Sequence, residues 1–156
     1  MTAPSLPLIG GCLCGAIRYE VRARPFLIVA CHCRDCQKRT SSAYSMNMPT
    51  RADDFVITQG APIDVVMPTP SGSTTTHVYC GACHSRLASR PHKSPGMASV
   101  RPGTLDDTSW LVPSVHIFAR SALKGAIPPG AAQFETDPPD FTPFAAQFAK
   151  DWETLA

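Results

Sequence analysis

The sequence predicts an all-β domain that is stapled by zinc and ends in a short helix. Sixteen prolines and ten glycines in 156 residues favour short strands and many turns over long helices. Several stretches alternate apolar and polar residues, which is the period of a half-buried strand. All seven cysteines fall into three tight groups, the spacing that a metal site requires.

Strands are predicted where this alternation or a short apolar run occurs. Residues 26–30 form a continuous apolar run that leads directly into Cys31. Residues 74–79 are rich in β-branched and aromatic side chains and lead into Cys80 in the same way. Two cysteine groups are therefore expected at strand ends. The other predicted strands are residues 16–21, 43–48, 55–58, 63–67, 97–100 and 115–118, with a loop at 68–73.

The C-terminal part of the sequence predicts a short amphipathic helix. Thr142 is suited to cap it and Pro143 to occupy its first position. Phe144, Phe148 and Trp152 follow at four-residue spacing, so they share one helix face. This face is expected to dock on the sheet.

Length and composition limit the class of protein. A chain of 156 residues with 44% apolar residues is expected to form one domain, residues 1–156, with a core of its own. There is no apolar run near the roughly 18 residues of a membrane span, and no signal-peptide pattern begins the sequence. We therefore expect a cytoplasmic protein without a membrane partner. In a reducing compartment, clustered cysteines indicate metal binding or catalysis rather than disulfides.

The charge pattern gives no reason to expect a nucleic-acid partner. The formal net charge is only +2, and it would become negative if seven thiolates held two zinc ions. There is also no run of like charges.

The cysteine groups carry the chemistry of the sequence. They are Cys12-Leu13-Cys14, Cys31-His32-Cys33-Arg34-Asp35-Cys36 and Cys80-Gly81-Ala82-Cys83. Zinc holds thiolates at about 2.3 Å in a tetrahedron, so its ligands arrive in bunches on tight turns. Seven thiols suffice for one closed site of four and one site of three that keeps a position for water or substrate.

These motifs resemble the glutathione-dependent formaldehyde-activating enzyme family, also called the GFA/CENP-V domain family. The resemblance covers about residues 8–125 and leaves a tail at 126–156. It rests on Cys12-x-Cys14-Gly15, Cys31-His32-Cys33-x-x-Cys36 and Tyr79-Cys80-x-x-Cys83, and it continues through Gly103-Thr104-Leu105-Asp106 and Pro113-x-x-His116-Ile117. The family often has glycine where this chain has Ser41 and His84.

The resemblance implies a fold, a partition of the thiols and an activity. The fold is a β-tent of curled antiparallel sheets. The partition gives a structural zinc to Cys12, Cys14, Cys80 and Cys83, and a second, catalytic zinc to Cys31, Cys33 and Cys36. The activity is a carbon–sulfur lyase step that interconverts S-hydroxymethylglutathione with glutathione and formaldehyde.

The residues themselves leave alternatives for the Cys31, Cys33 and Cys36 group. It could be a second structural site that is closed by water or by a histidine. His32 is a poor ligand if Cys31 and Cys33 share a face, because alternation points it away. The remaining histidines are His77, His84, His92 and His116. Without metal, Cys33 and Cys36 have the C-x-x-C spacing of a redox disulfide.

Charged residues beside this group are candidate substrate contacts. Arg34, Lys38 and Arg39 could pair with a substrate carboxylate, or they could be ordinary solvated surface. Asp35 is a candidate proton shuttle or a turn former, and His116 a candidate base or a structural residue.

Two functions remain open at this point. One is a zinc-dependent carbon–sulfur lyase that acts on a small thiol–aldehyde adduct. The other is a non-enzymatic zinc β-domain that binds a protein partner. The intact three-cysteine group favours the lyase, because a pure scaffold has no need of an unsaturated site.

Overall fold

The computed structural model describes residues 4–69 and 72–155, which form ten strands and two α-helices. The ends of the predicted domain, residues 1–3 and 156, lie outside the described residues, as do positions 70 and 71 of the predicted loop at 68–73. The described chain forms two compact units. The first contains Phe26–Asn47 and residues 111–155, and the second contains Pro4–Pro25 and Met48–Trp110. The single domain over 1–156 stays a prediction.

The second unit is built from antiparallel strands. Three of them pair in the order β1 (Leu8–Gly11), β2 (Arg18–Val21) and β5 (Phe55–Gln59). A second set begins with the end of β4 (Ser45–Arg51). It continues through β9 (Met97–Val100), β8 (Arg86–Pro91), β7 (Thr74–Tyr79) and β6 (Ile63–Pro68). Each neighbouring pair in this set is antiparallel.

Tyr19 on β2 lies at the centre of the core of the second unit. It is fully buried, and its ring centroid lies 5.1 Å from that of Phe55. Its hydroxyl is hydrogen-bonded to Thr104 Oγ1 at 2.7 Å. Gly10 on β1 is the cross-strand partner of Tyr19, and a Cβ atom there would lie 2.5 Å from the tyrosine ring. Glycine is therefore needed at position 10 so that the ring can lie across β1.

The first unit is organised around β3 (Val29–Cys31). This strand pairs with β10 (Val115–Ile117) in parallel and with the start of β4 in antiparallel fashion. Helix α1 (Arg34–Thr40) follows β3 after two residues, so the second cysteine motif spans the strand end and the first helical turn. The C-terminal helix is α2 (Thr142–Leu155).

Helix α2 docks through the predicted aromatic face. Phe144 and Phe148 pack against a buried patch of the first unit, and the Phe148 ring lies 5.9 Å from that of Trp152. The Thr142 amide donates a hydrogen bond to the Asp140 carboxylate, which closes the start of the helix. The buried patch consists of Leu27, Val29, Cys31, Val115 and Ile117.

The predicted fold class is confirmed: the chain is mostly β-sheet with a short C-terminal helix. The sheets are mixed rather than purely antiparallel, because β10 is parallel to β3. A long connection separates these strands, and parallel pairing requires one. Strands β1 and β8 are not among those predicted from the sequence. Neither helix of the described chain combines the length and hydropathy that a membrane crossing requires.

We expect Gly10→Ala to lower the free energy of unfolding by about 1–3 kcal/mol, because the added methyl group would overlap the Tyr19 ring and the Thr104 carbonyl oxygen. Urea unfolding of the variant measures this. Gly103→Ala is the control, since no atom lies within 4 Å of its added methyl group. Equal stability of the two variants would contradict the proposed packing around Tyr19.

Candidate metal centres

Four cysteine sulfurs of the second unit form one group, which we call the four-thiol group. The Sγ atoms of Cys12, Cys14, Cys80 and Cys83 all lie within 4.8 Å of one another. The Cys12–Cys14 and Cys14–Cys80 sulfur distances are 3.5 Å and 3.8 Å. A zinc ion with four sulfurs at about 2.3 Å would separate those sulfurs by roughly 3.8 Å. The group is therefore able to hold a tetrahedral zinc ion.

Two tight turns deliver these sulfurs. After β1, the Gly15 amide donates to the Cys12 carbonyl at 3.0 Å, and Gly15 takes a left-handed backbone with φ of 76°. After β7, the His84 amide donates to the Cys80 carbonyl, also at 3.0 Å. His84 likewise has a positive φ of 58°. Each turn folds its two cysteines to the same side, so residues 66 positions or more apart in sequence meet.

The surroundings of the four-thiol group favour the thiolate form of Cys12 and Cys83 but not of Cys14. The Ala16 amide favours ionisation of Cys14, but the thiols of Cys12 and Cys83 outweigh it and raise the pKa of Cys14 to about 11. Burial of Cys12 opposes its ionisation, but the Ile17 amide, 3.2 Å from its sulfur, and the thiols of Cys14 and Cys80 lower its pKa overall. Hydrogen bonds from the Ser85 hydroxyl and amide lower the pKa of Cys83 to about 5. Thiolate is the form that binds metal, so at least part of the group is ready for a cation at neutral pH.

The remaining three sulfurs form a separate group in the first unit, the three-thiol group. Cys31 ends β3, Cys33 is the N-cap of α1, and Cys36 lies in its first turn. Their Sγ atoms lie within 4.8 Å of one another. Cys31 is buried, whereas Cys33 and Cys36 are half-buried. Among the described residues, no further cysteine, histidine or carboxylate atom joins this group.

Helix α1 contributes to the electrostatics of the three-thiol group. Hydrogen bonds from the Cys31 and Cys36 thiols lower the pKa of Cys33 to about 2, and the amides of Cys36 and Asp35 add to this effect. The same thiol contacts, together with burial, raise the pKa of Cys31. Without a cation, a negative charge is therefore favoured on Cys33 and disfavoured on Cys31. Further deprotonation requires a cation among them, because like charges repel.

His32 does not point towards the sulfurs but forms a buried pair with His116. The His32 Nε2 and His116 Nδ1 atoms are 2.9 Å apart, and the Tyr44 ring lies against both imidazoles. Burial, together with the charge of His116, lowers the pKa of His32, and burial lowers that of His116. Both rings are thus disfavoured as cations. The catalytic-base role predicted for His116 stays a prediction.

Gln37 fixes the backbone around the three-thiol group by hydrogen bonds, a role that sequence reasoning missed. Its side-chain amide nitrogen donates to the His32 carbonyl at 2.8 Å and to the Ser121 carbonyl at 2.7 Å. Arg34 donates to its amide oxygen. Gln37 is buried, so loss of these bonds would leave two carbonyls without donors. Nothing in a single glutamine after a cysteine motif signals this role.

An open groove of about 390 Å³ lies along the outer side of α1 in the first unit. Of the three predicted substrate contacts, Arg34 and Lys38 line it and Arg39 does not. Arg34 directly follows Cys33 in sequence. The groove is therefore a cationic surface of α1, and its lining does not include Cys31, Cys33 or Cys36. Its other lining residues are Gln37, Ser41, Ser42, Ala43 and Leu123.

Comparison with known proteins identifies the family of the chain and a solved structure with a similar fold. Residues 7–121 match the family described as glutathione-dependent formaldehyde-activating enzyme. The chain belongs to this family. Among solved structures, the crystal structure of a Rhodobacter sphaeroides protein from a structural genomics programme is similar, with a TM-score of 0.50 and 21% sequence identity. The similarity covers 65% of this chain and 90% of that one, and it concerns the fold.

At two positions this chain differs from the residue that the formaldehyde-activating enzyme family often has, and the backbone conformation shows what the difference costs. Ser41 and His84, where the family often has glycine, both adopt left-handed backbone, with φ of 50° and 58°. Glycine adopts this conformation freely, whereas other residues pay about 1–2 kcal/mol. Ser41 ends α1 and His84 ends the Cys80–Cys83 turn, so both positions shape a cysteine group.

We expect Cys83→Ala to lose bound zinc from the four-thiol group and to lower the melting temperature by more than 10 °C, because metal binding links two distant turns. Elemental analysis and thermal unfolding followed by circular dichroism measure the two effects. Ala82→Ser, an exposed change in the same turn, is the control and should behave as wild type. Unchanged melting and full zinc content in Cys83→Ala would rule out a metal-dependent role for this group.

Proposed function

We propose that the protein is a zinc-dependent carbon–sulfur lyase that acts on a small thiol–aldehyde adduct, as in the step between S-hydroxymethylglutathione, glutathione and formaldehyde. The observation that carries the proposal is the three-thiol group. It gathers Cys31, Cys33 and Cys36 without a fourth protein ligand among the described residues. A zinc site with three protein ligands keeps a position for substrate.

The residues present fit a zinc ion. Soft thiolate sulfur is a preferred zinc ligand, and the three sulfurs are already within 4.8 Å of one another. When bound, zinc would supply a Lewis acid and would favour the thiolate form of a sulfur ligand. Cys31, Cys33 and Cys36 would hold the ion, and the contacts of Cys33 with the other two thiols and with amides of α1 lower its pKa.

The proposed reaction is a reversible addition. The sulfur of the thiol bonds to the aldehyde carbon, the electron pair of the carbonyl π bond moves to oxygen, and oxygen takes up the proton that the thiol has lost. The reverse step breaks the carbon–sulfur bond and returns both partners. No oxidant or reductant is required.

The groove beside α1 supports a substrate that carries a carboxylate. Arg34 and Lys38 would pair with carboxylates of the thiol substrate, and the hydroxyl group of Ser41 would donate a further hydrogen bond. Glutathione has two carboxylates and is the thiol in the family name.

The four-thiol group would hold a second, structural zinc ion. Four sulfurs close a tetrahedral site, so no position remains for a substrate. We further propose a cytoplasmic location, because reduced thiols on this scale persist in a reducing compartment.

The test is exchange of glutathione with formaldehyde on the zinc-loaded protein, followed by NMR exchange spectroscopy. Wild type should exceed the uncatalysed rate. Cys33→Ser should fall to that rate while keeping its fold and one zinc ion, because two sulfurs cannot hold the second ion in shape.

Arg34→Ala should instead raise KM by about five-fold with little change in kcat, because it would lose a contact with the substrate carboxylate and not with the reacting carbon. Arg120→Ala, another exposed arginine of the first unit outside the groove, is the control. If zinc-loaded wild type shows no exchange with any thiol tested, the lyase proposal is wrong and the non-catalytic binding domain becomes the better account.

A further inference from the structure

The last 25 described residues pack against the strand pair that carries Cys31. We call residues 131–155 the C-terminal segment. Its first part lies beside β10: the His116 amide donates to the Ala132 carbonyl at 2.8 Å, and the Phe134 amide donates to the His116 carbonyl at 3.0 Å. Since β10 pairs with β3, which ends in Cys31, the segment is anchored to the strand pair that carries the first thiol.

The C-terminal segment places aromatic rings on the same buried patch as the cysteines of the three-thiol group. Four of its phenylalanines pack against the buried patch that includes Cys31, and Cys33 and Cys36 pack against this same patch. Each ring is only partly buried, so part of its surface is open to a ligand. Together with Phe118, these rings form what we call the aromatic wall: Phe118, Phe134, Phe141, Phe144 and Phe148.

Two features indicate that this wall is built and not incidental. The Phe134 and Phe144 rings meet edge to face, with centroids 5.7 Å apart and planes at 86°. Phe118 has a left-handed backbone with φ of 57°, which is a strained conformation for a bulky residue. Such strain persists where the surroundings enforce it, and here it directs an aromatic ring to the patch beside the thiols.

The charges of the C-terminal segment differ from those of the groove beside α1. The segment contains one lysine, Lys150, and no arginine, against five acidic residues: Glu135, Asp137, Asp140, Asp151 and Glu153. The groove therefore suits the carboxylates of a thiol, whereas the wall suits a neutral, apolar group.

We propose that the aromatic wall is a substrate subsite beside the three-thiol group, and that it selects neutral apolar carbonyl compounds, such as aromatic or branched aliphatic aldehydes, over formaldehyde. This inference rests on the proposed function for its reaction, but the subsite itself is a property of this chain. Four of the five rings lie beyond residue 121, where the family match ends.

The subsite is tested by the reactivity of the thiols, which does not depend on turnover. The full-length protein, after mild chelation, is alkylated with iodoacetamide and with N-benzyl iodoacetamide, and labelling of Cys33 and Cys36 is followed by peptide mass spectrometry. Both rates are divided by those of free glutathione. After this normalisation, we expect wild type to react about 3- to 10-fold faster with the benzyl reagent than with iodoacetamide. This rate ratio corresponds to the free energy of one aromatic ring contact.

Phe144→Leu and Phe134→Leu should reduce this preference towards one while thermal unfolding shows that the fold is kept. Phe26→Leu is the matched control, because Phe26 is 36% exposed and is not part of the wall. Its preference should equal that of wild type. A normalised wild-type preference for the benzyl reagent of less than two-fold would overturn the proposal. So would a preference that survives both wall substitutions, or one that the control also loses.

The exchange assay separates this proposal from the lyase proposal. Formaldehyde and phenylacetaldehyde are compared on zinc-loaded wild type and Phe144→Leu, and wild type should prefer phenylacetaldehyde in kcat/KM. Absence of exchange with both aldehydes, with the labelling preference intact, would refute the lyase and support the subsite. Exchange with formaldehyde without any labelling preference would refute the subsite alone.

Discussion

Mutual repulsion between crowded thiolates is the constraint on which the two cysteine groups depend. Each group holds its sulfurs within 4.8 Å of one another, a distance at which several negative charges are stable only around a cation. Tight turns of the backbone bring the sulfurs together despite this repulsion. Gly15 and His84 take left-handed conformations in the four-thiol turns, and Ser41 does so at the end of α1. Strand ends and turns are thus arranged so that sulfurs from separate segments converge.

The two groups differ in their number of sulfurs because different structural elements supply the cysteines. Two knuckle-like turns bring two sulfurs each, which completes a tetrahedron and leaves no open position. A strand end followed by a helical turn brings three, since Cys31, Cys33 and Cys36 lie in one short stretch. The surroundings of the three-thiol group then determine which ligand its open position can take. A cationic groove lies along α1, and aromatic rings from the C-terminal segment pack against the same buried patch as the cysteines. His32, which stands between Cys31 and Cys33 in sequence, forms a buried pair with His116.

Much of this arrangement is readable from the sequence, and the exceptions have physical causes. The strand at 74–79 is predicted because β-branched and aromatic residues dominate it, and the aromatic face of α2 is predicted from its four-residue spacing. Strand β1 is not predicted because Gly10 is needed there to admit the Tyr19 ring, a cross-strand contact that alternation of residue types does not reveal. Gln37 is missed because one of its two carbonyl partners, Ser121, lies 84 positions away in sequence.

The central claim is that the two thiol groups hold two zinc ions of unequal accessibility. Native mass spectrometry of the zinc-loaded protein during titration with a mild chelator, with circular dichroism on the same samples, tests it most directly. The account predicts loss of one ion while the fold is intact, because the three-thiol group is open, and loss of the second only together with unfolding. Release of both ions in a single step that coincides with unfolding would contradict it.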